Sequence, residues 1–118
     1  MTELPKELEH QLAQFQQIQQ QAEAIANQKI QMEIQLKDVE KALDEIVGLK
    51  EDNEVYRAIG NILIKTEKAQ VKEKLVENKE ILELRIKTLN KQKEKITAKL
   101  KELQQKIQSA LQSRGIQG

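Results

Sequence analysis

The sequence predicts a mainly α fold: a long antiparallel two-helix coiled coil carrying a single β-hairpin at the end opposite the termini. Three observations lead there. Apolar residues recur in alternating steps of four and three over two long stretches, and the hydropathy period drops to two in the segment between them. With Phe15 and Tyr56 as the only aromatic residues and 33% of the chain charged, the apolar content can fill a narrow seam but not a thick core.

The first seam reads Leu4, Leu8, Gln11, Phe15, Ile18, Ala22, Ile25, Lys29, Met32, Leu36, Val39, Leu43, Ile46, with only Gln11 and Lys29 departing from apolar character. Pro5 suits a first helical turn, where its missing N–H is not needed, and Glu7 and Glu9 favour the helix dipole there. Gly48 follows the last seam residues and is expected to form a left-handed cap. The first helix is therefore expected over 5–48, an arm of roughly 65 Å. The second seam reads Leu75, Lys79, Leu82, Ile86, Leu89, Lys93, Ile96, Leu100, Leu103, Ile107, Ala110. Thr66 is a fair N-cap for it, and Arg114 and Gly115 are good closing residues, so the second helix is expected over 66–114 with a short tail at 115–118. Two arms of similar length joined by a short connector favour an antiparallel hairpin, and the whole of 1–118 reads as one domain.

The connector, 49–65, carries the most information. After the polar turn of Lys50, Glu51, Asp52 and Asn53 comes Val55-Tyr56-Arg57-Ala58-Ile59, then Gly60-Asn61, then Ile62-Leu63-Ile64-Lys65. This is a strand, a turn signal and a second strand. Val55 and Ile59 share one face of the first strand. On the second, Ile62 and Ile64 share a face while Leu63 points to the other, so that strand is apolar on both sides. A lone two-stranded hairpin is marginal in water and has two unpaired edges. Val55, Tyr56, Ile59, Gly60, Ile62, Leu63 and Ile64 are accordingly the candidate subunit-assembly residues. The alternative is that these aliphatics fold down and plug the end of the helical seam, which requires neither apolar residues on both faces nor a Gly-Asn turn.

Much else is excluded or weak. There is no cysteine, so disulfides and thiolate metal sites are ruled out and a cytoplasmic location is expected. The longest aliphatic run, Ile62 to Ile64, is far short of a membrane span, and Glu3, Glu7 and Glu9 do not suit a signal peptide. A formal charge of +1 offers no net field for nucleic acid or acidic lipid. The lysines from Lys87 to Lys106 are interrupted by Glu94 and Glu102 and read as a solvated face, and the glutamines from Gln11 to Gln35 decorate an unbroken heptad. His10, the sole histidine, has no companions for a metal site, no phosphate-binding glycine loop exists, and the paired acids sit on solvated segments. No enzyme, cofactor or metal site is expected. Lys29 and Lys93 inside the seams have three roles open to them: fixing register through cross-coil acids, lying along the seam with the ammonium in water, or lining a polar inner face.

The arrangement of arm, single strand hairpin and arm resembles the beta subunit of prefoldin, the tentacled chaperone of archaea and eukaryotes, over essentially the whole chain. The most specific stretch is Glu54-Val55-Tyr56-Arg57-Ala58-Ile59-Gly60-Asn61-Ile62-Leu63-Ile64-Lys65, and the opening Leu4-Pro5 with Leu12-Ala13-Gln14-Phe15-Gln16-Gln17 also fits. One hairpin rather than two resembles the beta type, and the short ends resemble the archaeal form. The resemblance implies a hexamer of two alpha-type and four beta-type subunits whose hairpins join into β-barrels, with six arms hanging from them. It implies an ATP-independent holdase that binds non-native polypeptides near the arm tips and delivers them to a group II chaperonin. The positions that match the client-binding tips are Leu4, Leu8, Leu12 and Phe15 on the first helix, and Ile107, Ala110 and Leu111 with Ile116 at the other end. Read from the residues alone, Leu4, Leu8 and Phe15 close the seam. Leu12 and Leu111 each sit one residue past a seam position, so the apolar stripe widens where the termini meet.

Two other classes stay open. A plain structural coiled coil that tethers other proteins leaves the central hairpin unexplained, and a helical RNA-binding arm needs a basic face that the balanced charge does not supply.

Overall fold

The computed structural model describes residues 5–113; Leu4, Arg114, Gly115 and Ile116, named above, lie outside the described residues. The element order is α1 (Lys6–Val47), β1 (Val55–Ile59), β2 (Ile62–Thr66) and α2 (Lys68–Ser113). Two compact units are formed, Met1–Lys29 with Thr88–Gly118, and Ile30–Lys87. The hairpin belongs to the second, and the start of α1 and the end of α2 belong to the first.

Within each unit the heptad decides what is covered. From Leu8 to Ile46 every predicted seam position of α1 is buried or half-buried, and so is every seam position of α2 from Leu75 to Ala110 except Lys93. In the first unit Leu8, Leu103 and Ile107 form a buried cluster against which Phe15, Ile18, Ala110 and Leu111 pack. In the second, Ile46, Val55 and Leu82 are the buried hydrophobics. The coil thus has a thin apolar strip in place of a globular core, as a chain with two aromatic residues must. Among the described residues no helix is long and apolar enough to cross a membrane.

Lys29 is half-buried and Lys93 is exposed, and neither makes an ion pair among the described residues. Neither is held to a cross-coil acid among the described residues. The half-burial of Lys29 is compatible with a stem that lies along the seam, whereas Lys93 is exposed.

The helix ends differ from expectation at two points. Gly48 is not in the left-handed region, since Gly60 is the one residue with positive φ among those described. Instead Gly48 N–H donates to Asp44 O at 3.3 Å and Leu49 N–H to Ile46 O at 3.2 Å, so α1 ends by tightening its last turn. Thr66 does not cap α2. It closes β2 as the partner of Val55, and Glu67 takes the capping place, its carbonyl accepting from Val71 N–H at 3.1 Å. Strand pairing claims Thr66 because the ladder runs the full five residues of each strand.

Candidate functional site

The hairpin is held by its turns. Lys50 N–H donates to Asn53 Oδ1 at 2.7 Å while Asn53 N–H returns a bond to Lys50 O at 3.1 Å, which closes the polar turn that leads into β1. At the tip, Ile59 pairs directly with Ile62, leaving Gly60 and Asn61 as a two-residue loop. Gly60 has φ +60° and Asn61 stays at negative φ, the pattern of a type II′ turn with glycine at its first central position.

That turn fixes register, and register fixes both faces and edges. Val55, Arg57, Ile59, Ile62, Ile64 and Thr66 share one face; Tyr56, Ala58, Leu63 and Lys65 share the other. A two-residue loop makes Ile59 and Ile62 a hydrogen-bonded pair, so alternation leaves the N–H and C=O groups of Tyr56 and Ala58 on one outer edge and of Leu63 and Lys65 on the other. Both edges are unpaired in this two-stranded sheet. Six of the seven assembly candidates, Tyr56, Ile59, Gly60, Ile62, Leu63 and Ile64, are exposed, with Ile62 at 65% and Leu63 at 69%. Val55 differs: it is 8% exposed and anchors the base of the hairpin within its own chain. The aliphatics do not plug the helical seam, and a groove of about 570 Å³ remains between the hairpin and the first turns of α2, with Tyr56, Ala58, Val71 and Leu75 in its lining.

Polar contacts organise one face of the sheet. Tyr56 O–H donates to Glu54 Oε2 at 2.8 Å, and the ammonium of Lys65, the cross-strand partner of Tyr56, lies 3.8 Å from the same carboxylate. The phenol is raised above its ordinary value, chiefly because its proton is shared with the Glu54 carboxylate.

The described tip candidates lie in the first unit. Leu8 is the most enclosed side chain at 2% exposure, Ile107 is buried, and Phe15, Ala110 and Leu111 pack on them. Leu12 alone among the described candidates is exposed. The structure therefore gathers Leu8, Phe15, Ile107, Ala110 and Leu111 into one cluster, adds Ile18 and Leu103 to it, and leaves Leu12 exposed. Leu103 and Ile18 were visible as seam residues, and only their membership of the same cluster was missed. Ile30, Ile34 and Ile81, at about half exposure, are a second omission; a seam reading discards them because they fall on outward heptad positions.

The sequence model of the prefoldin subunit family matches residues 9–114. The chain belongs to the prefoldin family. It is similar to the prefoldin subunit beta of Archaeoglobus fulgidus, 45% identical over 111 residues that cover 94% of this chain and 96% of that one. To the prefoldin subunit beta of Methanosarcina acetivorans it is 43% identical over 110 residues, covering 93% and 94%. Its fold matches the crystal structure of the prefoldin beta subunit from Thermococcus strain KS-1 with a TM-score of 0.84 at 39% identity, over 94% of this chain and 97% of that one. As a prefoldin subunit it is part of a chaperone, working in a hetero-oligomer with other subunits of the family. The plain tether and the RNA-binding arm give way to this assignment.

Proposed function

We propose that this prefoldin chain is a beta-type subunit, a single domain over 1–118, of an ATP-independent holdase in which four copies join two alpha-type subunits through their hairpins as β-barrels. The observation that carries the reading is the open hairpin: Ile59, Ile62, Leu63 and Ile64 stay exposed on two faces of a sheet with two free edges. Pairing those edges with strands from other subunits satisfies the outward N–H and C=O groups and covers the aliphatics together, each worth about 1.5–3 kcal/mol when fully buried.

Client polypeptides are held at the chain ends by Leu4, Leu8, Leu12, Phe15, Ile107, Ala110, Leu111 and Ile116, and are passed to a group II chaperonin. Apolar side chains without a fixed polar pattern suit segments that have little in common but exposed apolar surface. No nucleotide, metal, nucleic acid or membrane takes part, no reaction is catalysed, and the compartment is the cytoplasm, where such clients are made.

Native mass spectrometry of the chain alone and mixed with an archaeal alpha-type prefoldin subunit tests the assembly. A four-to-two hexamer in the mixture is expected; a chain that ignores the alpha-type subunit overturns it. Replacing Leu12 and Leu111 together by Ser tests the holding role, with the hexamer intact and suppression of aggregation weakened. Unchanged suppression would remove these residues from client binding.

A further inference from the structure

The two strands of the hairpin carry Arg57 and Lys65 as their charged residues and no acid. The two cations are served differently. Lys65 lies beside the Glu54 carboxylate on the face that Tyr56 occupies, whereas Arg57 is exposed and has no ion pair or hydrogen bond among the described residues. On its own face Arg57 is flanked by Val55 and Ile59 along the strand and has Ile64 directly across. Glu73 and Glu77 of α2 line the groove beside β1 together with Arg57, yet neither comes within ion-pair distance of it. A guanidinium thus stands unpaired on the aliphatic face of the sheet.

The register makes the two open edges unequal. On β1 the outward backbone groups belong to Tyr56 and Ala58. A second copy that met this edge antiparallel and engaged all of them would pair Tyr56 with Ala58 in both directions, which sets Arg57 against Arg57 at the close, non-hydrogen-bonded position. Like charges directly opposite each other weaken a strand pair. If β2 of a copy met β1 instead, with Lys65 across from Tyr56 and Leu63 across from Ala58, Ile64 would face Arg57 and again bring no acid. The β2 edge carries no such restriction, because there the symmetric pairing of Leu63 with Lys65 sets Ile64 against Ile64.

We propose that Arg57 makes the β1 edge selective: it accepts a strand of a different prefoldin subunit that presents a carboxylate to the guanidinium, and it rejects β1 of a second copy of this chain. The proposal rests on the reading of the hairpin as the assembly site and adds the chemistry of the strand that fits there. Covering the aliphatic face strips water from the guanidinium. Left without an acid, the buried charge opposes assembly, while a carboxylate held by both arms of its planar fork turns the same residue into a contact that fixes register. Neither strand of this chain holds an acid, and Glu54 already serves Tyr56 and Lys65, so the carboxylate comes from a strand of another sequence. The groove of about 570 Å³ lies on this side of the hairpin: Tyr56, Arg57 and Ala58 of β1 line it with Val71 and Leu75 of α2, and Thr66 is its one contribution from β2. An incoming strand at β1 therefore also finds apolar side chains of α2 to rest on.

Native mass spectrometry of the full chain tests both halves. Arg57 is exposed and bonded to nothing among the described residues, so its substitution leaves the lone chain folded, as circular dichroism checks. Mixed in equal amounts with no other subunit present, wild type and Arg57→Glu should form mixed pairs about tenfold above the binomial share, since only the mixed pair sets opposite charges against each other. A binomial distribution, or no mixed pairs at all, overturns the proposal. Offered together to a limiting amount of an archaeal alpha-type subunit, wild type should enter the hetero-oligomer about tenfold ahead of Arg57→Glu, with Arg57→Gln between them. Equal entry overturns the proposal and leaves the assembly reading standing; entry by none of the three, wild type included, overturns the assembly reading and the proposal with it. The double variant Glu73→Gln, Glu77→Gln should compete as wild type does. If it falls as far as Arg57→Gln, the guanidinium is served by its own α2 and needs no carboxylate from a partner, which also overturns the proposal.

Discussion

Lys68 Nζ donates to the carbonyl oxygen of Leu49 at 2.8 Å, so the first residue of α2 closes the exit from α1. α1 has no basic residue in its last turn to meet the negative end of its dipole, and the cation arrives from a residue 19 positions later in the sequence. The Lys68 side chain is only 18% exposed, and Glu51 lies 3.8 Å from its nitrogen. Replacing Lys68 by Met keeps the stem and removes the donor. The expected cost is about 1–2 kcal/mol, read from urea unfolding, with faster amide exchange concentrated in 48–54. An equal loss of protection along both helices would show that Lys68 acts on the coil rather than on the connector.

Leu63 is 69% exposed and carries outward-facing backbone groups on the edge of β2. Leu63→Asp therefore removes no intrachain packing. Helix content and urea stability of the isolated chain should stay within about 0.5 kcal/mol of wild type, while assembly into the proposed hexamer is lost. Native mass spectrometry and circular dichroism check both halves, and a surviving full hexamer would refute the assembly role of that edge.

Tyr56 is the chain's one tyrosine and no tryptophan is present, so phenolate absorbance reports a single group. Because the phenol donates to Glu54, its ionisation should begin at higher pH than the ordinary value of 10.0, and Glu54→Ala should bring it back down. The raised value means that the bond's contribution to the folded hairpin is complete below pH 10.0 and is lost as pH rises through the raised value. Coincident titration curves for the two proteins would show that the bond does not persist in solution.

Gly60 has φ +60°, and a Cβ built on it meets nothing within 4 Å. Gly60→Ala thus isolates backbone strain from crowding. The substitution should cost the turn about 1 kcal/mol, and Gly60→Asn should cost less because asparagine tolerates the left-handed region better. The melting temperature of the assembled hetero-oligomer is the readout, since the hairpin of the lone chain is too marginal to melt by itself.

Both helices were legible because a 3.5-residue repeat sustained over many turns leaves few alternatives, and its seam predicted which side chains the structure covers, from Leu8 to Ile46 and, with the exception of Lys93, from Leu75 to Ala110. The hairpin was legible because Gly60-Asn61 sits between two short strand-forming segments, Val55-Tyr56-Arg57-Ala58-Ile59 and Ile62-Leu63-Ile64-Lys65. What escaped was the chemistry of the ends. Gly48 carried a strong cap signal, yet α1 closes with ordinary backbone angles, since a tightened final turn satisfies the same carbonyls. Thr66 suits a cap and a strand equally, and pairing with Val55 outweighed local preference. The bond from Lys68 to Leu49 depends on which groups become neighbours after folding, and no spacing rule encodes that.

The two open edges of the hairpin also bear on how much of this polypeptide a cell should make. Copies in excess of their partners would present Ile62, Leu63 and Ile64 beside unsatisfied backbone, the ingredients of strand-to-strand aggregation. A factor that guards other proteins from sticking together is, until it is built in, a protein in need of the same guarding. Matched synthesis with its partners, or rapid removal of the surplus, follows from five-residue strands that one chain alone leaves unfinished.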